Sequence, residues 1–315
     1  MTALVRLRVG VVALLLVLAP VLAACSNSGN DEKGSSQPQG AALRVRLGTQ
    51  AFPEARLLGE LWRQALAVNG YTVDLRKGVG PAEDLDKLLQ QGEIDGYVAY
   101  TGTVLSVVAG ETVTGLDPDA TYEKARAFYA GRGMAMSAKT PFQNKDAIAT
   151  TATFAQTNQL RSIADLAKLR SFTLGARPEF ENLELGLKGL QEQYGLTKAK
   201  FEAVPVGKQY AALDDGSADA VDAFTTDPGL LSGDYQVLAD PKLLFGSQNV
   251  VMTVGEDELK RVGREEFLQV VDGVNAVLTE DAMVQMNTAV TDGQDEAAVA
   301  KRFLESVGLN QRTGS

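Results

Sequence analysis

Residues 92–103, GEIDGYVAYTGT, return at residues 216–227 as GSADAVDAFTTD. Set over each other without a gap, Gly92 meets Gly216, Asp95 meets Asp219, and Ala99 meets Ala223. Tyr100 meets Phe224, and Thr101 meets Thr225. Each copy follows a segment with a leucine near its end, Leu89 and Leu213. Each reads as a helix end, a glycine turn, a buried strand, and an aromatic followed by threonine. A chain that carries this unit twice folds as two related α/β lobes. In open parallel sheets, ligands sit outside the carboxyl ends of the strands. Tyr100 and Phe224 end their strands, so they are expected on opposite walls of a cleft between the lobes. A strand-ending aromatic taken alone is commonly a core residue; the matched pair, each followed by threonine, favours the cleft.

The rest of the chain keeps the same alternation. LRVRLGT (43–49) alternates apolar and polar residues as a strand does. Pro53-Glu54 opens a helix, where proline suits the first turn. Leu57, Leu58, Leu61, Trp62, Ala65 and Leu66 form one apolar face at helical spacing, and Trp62 is expected in the core. YTVDLR is a strand, 81–90 a helix, and GYVAY a strand, which together predict a parallel βαβ arrangement. KDAIATT, SFTLGA, FEAVPV, ADAVDAF and YQVLAD read as strands. SIADLAKL is a helix with Ser162 as N-cap and Asp165 three residues on. ENLELGLKGLQEQYGL reads as one helix closed by Gly195, and the chain from about Glu256 is helical.

Composition removes whole classes of chemistry. The sequence has no histidine and one cysteine, Cys25. Histidine is the commonest general base and metal ligand, so the prior for an enzyme falls sharply, and no cofactor is called for. GxSxG, Walker and HExxH patterns are absent. The net charge is −10, and loss of an amino-terminal leader containing Arg6 and Arg8 takes it to −12. Such a surface argues against nucleic acid and against electrostatic docking on anionic lipid.

That leader is residues 1–24. A basic start precedes an apolar run, Val9 to Ala24, which is short for a spanning helix and ends in small residues. LAAC (22–25) resembles the lipobox of bacterial lipoproteins. The resemblance implies cleavage before Cys25, lipidation of its sulfur, and anchoring on the extracytoplasmic face of the cell membrane. The alternative is an ordinary signal peptide with an incidental cysteine. Residues 26–42 are rich in Ser, Gly and Asn and read as a flexible tether.

Four segments carry a wider resemblance: GTQAFPEARLLGELWRQAL, GEIDGYVAYTGT, PEFENLELGLKGLQEQYGL and VDAFTTD. Over residues 43–312 the chain resembles the substrate-binding proteins of bacterial ABC importers for glycine betaine, choline and related osmoprotectants. The resemblance implies a two-lobed periplasmic-binding-protein-like fold of type II. Each lobe is then a central sheet flanked by helices, and two crossovers form the hinge. It places lobe I at 43–144 plus 252–312 and lobe II at 145–251. It implies a monomer that closes on a small solute and is read by a membrane permease.

Site residues follow position by position. The tyrosine of the family's EYTGT motif falls on Tyr100 and its second threonine on Thr103. The aromatic before the Thr-Thr-Asp of the second lobe falls on Phe224. Asp146 and Gln248 stand where the family usually has tyrosines, and Gln50 where it commonly has lysine. Leu183 stands where an arginine commonly clamps the betaine carboxylate. A carboxylate needs a charge-assisted donor, and Leu183 offers none. Asp146 in the cleft would favour a cation. The transporter class is therefore better supported than the betaine ligand. Choline-like cations, or a neutral polyhydroxylated or aromatic solute held by Gln50, Thr103, Gln248 and two rings, stay open. So do a ligand-sensor role and, less favoured, an enzyme.

Two smaller features have plain readings. LDPDATYE spaces its acids like part of a calcium loop but lacks the glycine and terminal glutamate, so Asp119 is expected to cap a helix at 121–131. GVGP (78–81) is read as a turn into a helix.

Overall fold

The structure is a computed structural model, in which residues 43–312 are described. The expected leader, Cys25 and the tether lie outside the described residues. The first run is β1 (Leu43–Gly48), α1 (Pro53–Val68), β2 (Tyr71–Arg76), α2 (Ala82–Gln90) and β3 (Gly96–Tyr100). A short helix α3 (Thr101–Thr103) passes into a π-helical turn, Val104–Ala109, followed by α4 (Pro118–Ala130) and β4 (Met134–Met136). The second run is β5 (Asp146–Thr151), α5 (Ala152–Asn158), β6 (Phe172–Ala176), α6 (Leu187–Tyr194) and β7 (Ala199–Ala203). It continues with α7 (Gln209–Asp214), β8 (Ala220–Phe224) and β9 (Tyr235–Leu238). The chain returns through β10 (Val250–Gly255) to α8 (Glu256–Val262), α9 (Arg264–Val277), α10 (Glu280–Thr291) and α11 (Glu296–Ser306).

These strands form two five-stranded sheets, ordered β2-β1-β3-β10-β4 and β7-β6-β8-β5-β9. The orders match position for position, so β3 and β8, the two copies of the sequence repeat, hold the same central place. The chain leaves the first sheet between β4 and β5 and re-enters it between β9 and β10, which makes two crossovers. The sheets are mixed rather than parallel. β10 runs antiparallel to β3 and β4, and β5 antiparallel to β8 and β9. The reason is connectivity: β5 and β10 enter their sheets from the crossovers, at the end where the parallel strands finish. β4 and β10 carry no alternation to mark them in sequence. MAM is three residues long, and VVMTVG is buried along almost its whole length.

Helix α1 anchors the first core. Its predicted face is buried throughout, and Trp62 Nε1 donates to Asn275 Oδ1 at 2.9 Å. Each large apolar side chain buried there contributes about 1.5–3 kcal/mol. The same core takes in Val271 and Val274 of α9, Met283 and Met286 of α10, and Leu304 of α11, so the C-terminal helices belong to the first lobe. A separate core under the second sheet centres on Leu174, Phe180, Leu190 and Phe245.

Three local expectations change. The helix-forming pattern of 181–196 is broken: a 3-10 turn spans Pro178–Asn182, Leu183 is extended, and α6 starts at Leu187. A Cβ on Gly186 would lie 2.3 Å from the Phe180 carbonyl oxygen, so the chain folds back too closely for a continuous helix. SIADLAKL forms a 3-10 rather than an α-helix, with Asp165 accepting from the Ser162 amide at 2.9 Å. The cap of α4 is Asp117, which accepts from the Ala120 amide at 2.8 Å, not Asp119, which lies inside the first turn.

Candidate functional site

The repeat is first a device for holding the crossovers. Asp95 Oδ2 accepts from the Arg46 amide at 2.7 Å, and Asp219 Oδ2 accepts from the Thr173 amide at 2.8 Å, the same bond in each lobe. The Thr101 amide donates to the Asn249 carbonyl, and the Thr225 amide to the Lys145 carbonyl. Their hydroxyls add a second tie, Thr225 to the Gln143 carbonyl at 2.7 Å and Thr101 to that of Ser247 at 3.4 Å. Gln143 and Asn249 pair with each other as an isolated antiparallel bridge. Both crossovers are thus clasped to the ends of β3 and β8. Gly102 is required here: a Cβ would lie 2.5 Å from the Ser247 carbonyl oxygen.

Tyr100 ends β3 with its side chain only 6% exposed. Its hydroxyl donates to Glu54 Oε1 at 3.0 Å. Burial first, and then the charge of Glu54, raise its pKa well above the ordinary tyrosine range, so it stays protonated. Phe52 lies against it with ring centroids 5.7 Å apart and is itself 40% exposed. The aromatic surface open on this side is therefore Phe52, with Tyr100 behind it. This differs from the expectation of a bare Tyr100 ring, because a buried phenol needs a partner and Glu54 supplies it.

Glu54, on the first turn of α1, is 4% exposed. Besides Tyr100 it accepts from Asn144 Nδ2 at 2.9 Å and Asn287 Nδ2 at 2.7 Å. Asn144 lies on the first crossover. Asn287 lies on α10 and also donates to the Thr226 carbonyl of the second lobe at 3.2 Å. Gln50, two residues beyond β1, is 6% exposed, and its Oε1 has no partner among the described residues. Thr103 and Gln248 are brought together: Gln248 Oε1 accepts from the Thr103 amide at 2.9 Å and its hydroxyl at 3.3 Å.

In the second lobe Phe224 is half-buried at the end of β8, directly opposite Asp146 on β5. Asp146 is not a free charge. Arg177 donates to both its oxygens, at 2.8 and 3.1 Å, and also to Asp222. The guanidinium lies 5.5 Å from the centre of the Phe224 ring and 5.1 Å from that of Phe180. Burial, and next the neighbouring charge of Asp146, push Asp222 up to about 8; Arg177 opposes this but divides its charge between two carboxylates. Burial also raises Asp227, which accepts from the Phe224 amide at 2.9 Å and the Tyr210 hydroxyl at 3.1 Å. Leu183 is 39% exposed on the segment between the 3-10 turn and α6.

Arg177, Glu54, Phe52 and the asparagines at 144 and 287 were not picked out from the sequence. Arg177 had a signal: it stands two residues past Gly175, as Gln50 stands two past Gly48. Both glycines pair with the second residue of the central strand, Val221 and Tyr97. Gln50 and Arg177 are thus counterparts, and the cation that one lobe lacks at this place the other has.

Two lobes joined by paired crossovers, with polar and aromatic side chains gathered where strand ends meet, define a solute-binding protein of the hinged, two-lobed class. The model of the substrate-binding domain of ABC-type glycine betaine transport systems matches residues 44–306, and the chain belongs to that family. It is 28% identical over 277 residues to a glycine-betaine-binding protein of Pseudomonas aeruginosa, covering 84% of this chain and 88% of that one. It is 24% identical over 268 residues to an ergothioneine transport permease/ergothioneine binding protein of Helicobacter pylori. That match covers 84% of this chain but 47% of the relative. A crystal structure of a glycine betaine/carnitine/choline ABC transporter protein has the same fold, with a TM-score of 0.77 at 21% identity, over 85% of this chain and 100% of that one.

Proposed function

We propose that this protein is the lipid-anchored, extracytoplasmic receptor of an ABC importer and that it captures a small quaternary ammonium solute without chemistry. The lobes, 43–144 plus 252–312 and 145–251, close about the two crossovers, and the monomeric closed form is what the permease reads. Phe52 backed by Tyr100 forms one wall and Phe224 the other, with Gln50, Thr103, Gln248 and the ion-paired Asp146 framing the space. The observation that carries this reading is the placement of aromatic rings at matching strand ends of both lobes. Aromatic faces attract a methylated ammonium through their quadrupoles, by about 2 kcal/mol or more once water is excluded.

A thermal-shift panel of choline, glycine betaine, carnitine and ergothioneine tests it, with sugars as controls. A ligand at about 100 times its dissociation constant adds about 2.7 kcal/mol of stability. Stabilisation by a sugar and by no quaternary ammonium compound would contradict the reading. A second reading, a larger betaine carrying ring N–H donors, is favoured by the unpartnered acceptor Gln50 Oε1, and the same panel resolves it.

A further inference from the structure

Two carboxylates stand at the aromatic wall of the second lobe, and one cation serves both. Both oxygens of Asp146 accept from Arg177, at 2.8 and 3.1 Å, whereas Asp222 accepts through Oδ2 alone. The Asp222 side chain is 3% exposed, and its Oδ1 is buried with no partner among the described residues. A charged oxygen buried without a donor is costly, and taking up a proton relieves that cost.

The charged and titratable groups that face Asp222 are Asp146 from β5, Arg177 from the end of β6, Asp227 from the end of β8 and Tyr210 from α7. Arg177 is the one cation among them, and Glu179 lies 3.6 Å from its Nε. Tyr210 is held protonated by burial, and its hydroxyl donates to Asp227. Lys145, beside Asp146 in sequence, exerts its charge on Glu280 of α10. Burial first, and then Asp146, hold Asp222 up to about 8, so near neutral pH it keeps its proton.

The place of the cluster gives that proton a consequence. Arg177, Gln209, Asp222 and Phe224 line one hollow at the strand ends of the second sheet. Phe224 stands directly opposite Asp146 and two residues beyond Asp222, so the three share one face of the sheet. With Asp222 protonated, Arg177 and Asp146 cancel. With Asp222 ionised, the cluster carries one net negative charge beside the ring.

We infer that the Asp146–Arg177–Asp222 cluster couples solute capture to proton release: a cation settling against Phe224 favours the ionised form of Asp222, whose proton passes to solvent, so affinity for cations rises with pH. The inference rests on the quaternary ammonium reading above and deepens it, since that reading leaves capture independent of pH. Proton and solute compete for one negative charge, and each weakens the hold on the other by the same factor. For unit charges about 8 Å apart at an effective dielectric near 20, that factor is on the order of tenfold. The chain has no histidine to mask the effect near neutral pH.

Titration calorimetry with choline between about pH 6 and 9, in buffers of different ionisation heat, tests it. Affinity should rise threefold or more, on the order of tenfold, and level off above about pH 8, with a fraction of a proton released per binding event below that point. Asp222→Asn has no proton to shed there and should bind with the same weaker affinity at every pH, without release. A smaller rise, a fall with pH, or an equal rise in D222N would overturn the inference and leave the quaternary ammonium reading standing. Choline bound at no pH would overturn both. If D222N does not fold, NMR on the unmodified protein decides: the Asp222 side-chain carboxyl carbon must titrate at lower pH with choline than without, and an unmoved midpoint overturns the inference.

Discussion

Thr225 donates its hydroxyl to the carbonyl of Gln143 at 2.7 Å, fixing the end of β8 to the crossover that enters β5. The same hydroxyl oxygen accepts from the Lys145 amide at 3.2 Å. Its counterpart Thr101 makes one longer contact, 3.4 Å to Ser247. Thr225→Val should therefore destabilise the protein by about 1–2 kcal/mol, since it strands a carbonyl and an amide. Thr101→Val should cost less. Urea unfolding of the two variants checks the order, and a larger loss for T101V would contradict the asymmetry.

Phe52 and Tyr100 touch but do different work. Phe52 is largely open, so Phe52→Ala should weaken ligand binding about tenfold and shift stability by less than about 0.5 kcal/mol. Tyr100→Phe removes the buried bond to Glu54 and should cost about 1–3 kcal/mol of stability. Paired calorimetry and thermal unfolding distinguish these roles; stability loss in F52A with unchanged affinity would reverse them.

Asp222 gives stability a pH dependence of definite sign. Its carboxyl titrates at about 8 in the fold, held up by burial first and then by Asp146, against roughly 3.9 in an unfolded chain. Between these values the native state keeps a proton that the unfolded state has released. The stabilisation is full below about pH 4, falls as pH rises toward 8, and is then gone. Asp222→Asn removes that slope, so the difference in unfolding free energy between it and the unmodified protein should change across pH 4–8. A constant difference over that range would contradict the assignment.

The proposed membrane anchor is a lipid on Cys25. Cys25→Ser should release the protein from the membrane fraction of expressing cells while leaving ligand binding intact, as fractionation and calorimetry report. Retention of C25S on the membrane would exclude the thioether lipid as the anchor.

Much of this fold was legible because the repeat is a local pattern with a global meaning. Gly92, Asp95 and Thr101, and their counterparts Gly216, Asp219 and Thr225, recur because each lobe must close a glycine turn, cap a neighbouring strand and clasp a crossover. β4 and β10 were illegible because one is too short and the other too uniformly buried to alternate. The break at Leu183 was hidden by good helix formers on both sides, and only the close approach at Gly186 decides it. Tyr100 read as an open ring on a cleft wall; neither its burial under Phe52 nor its bond to Glu54, which joins elements 46 positions apart, was legible. Asp146 read as a free charge because Arg177, its partner, lies 31 residues away and is brought up only by strand pairing.

The most direct test of the central claim is a crystal structure of the protein with choline. The account predicts the quaternary nitrogen between the lobes, within about 6 Å of the Phe224 ring centre and of the Phe52–Tyr100 pair. Choline seated elsewhere, for example in the depression of about 430 Å³ lined by Pro118, Lys139, Thr140 and Asn249, or a cleft left empty at saturating ligand, would contradict it.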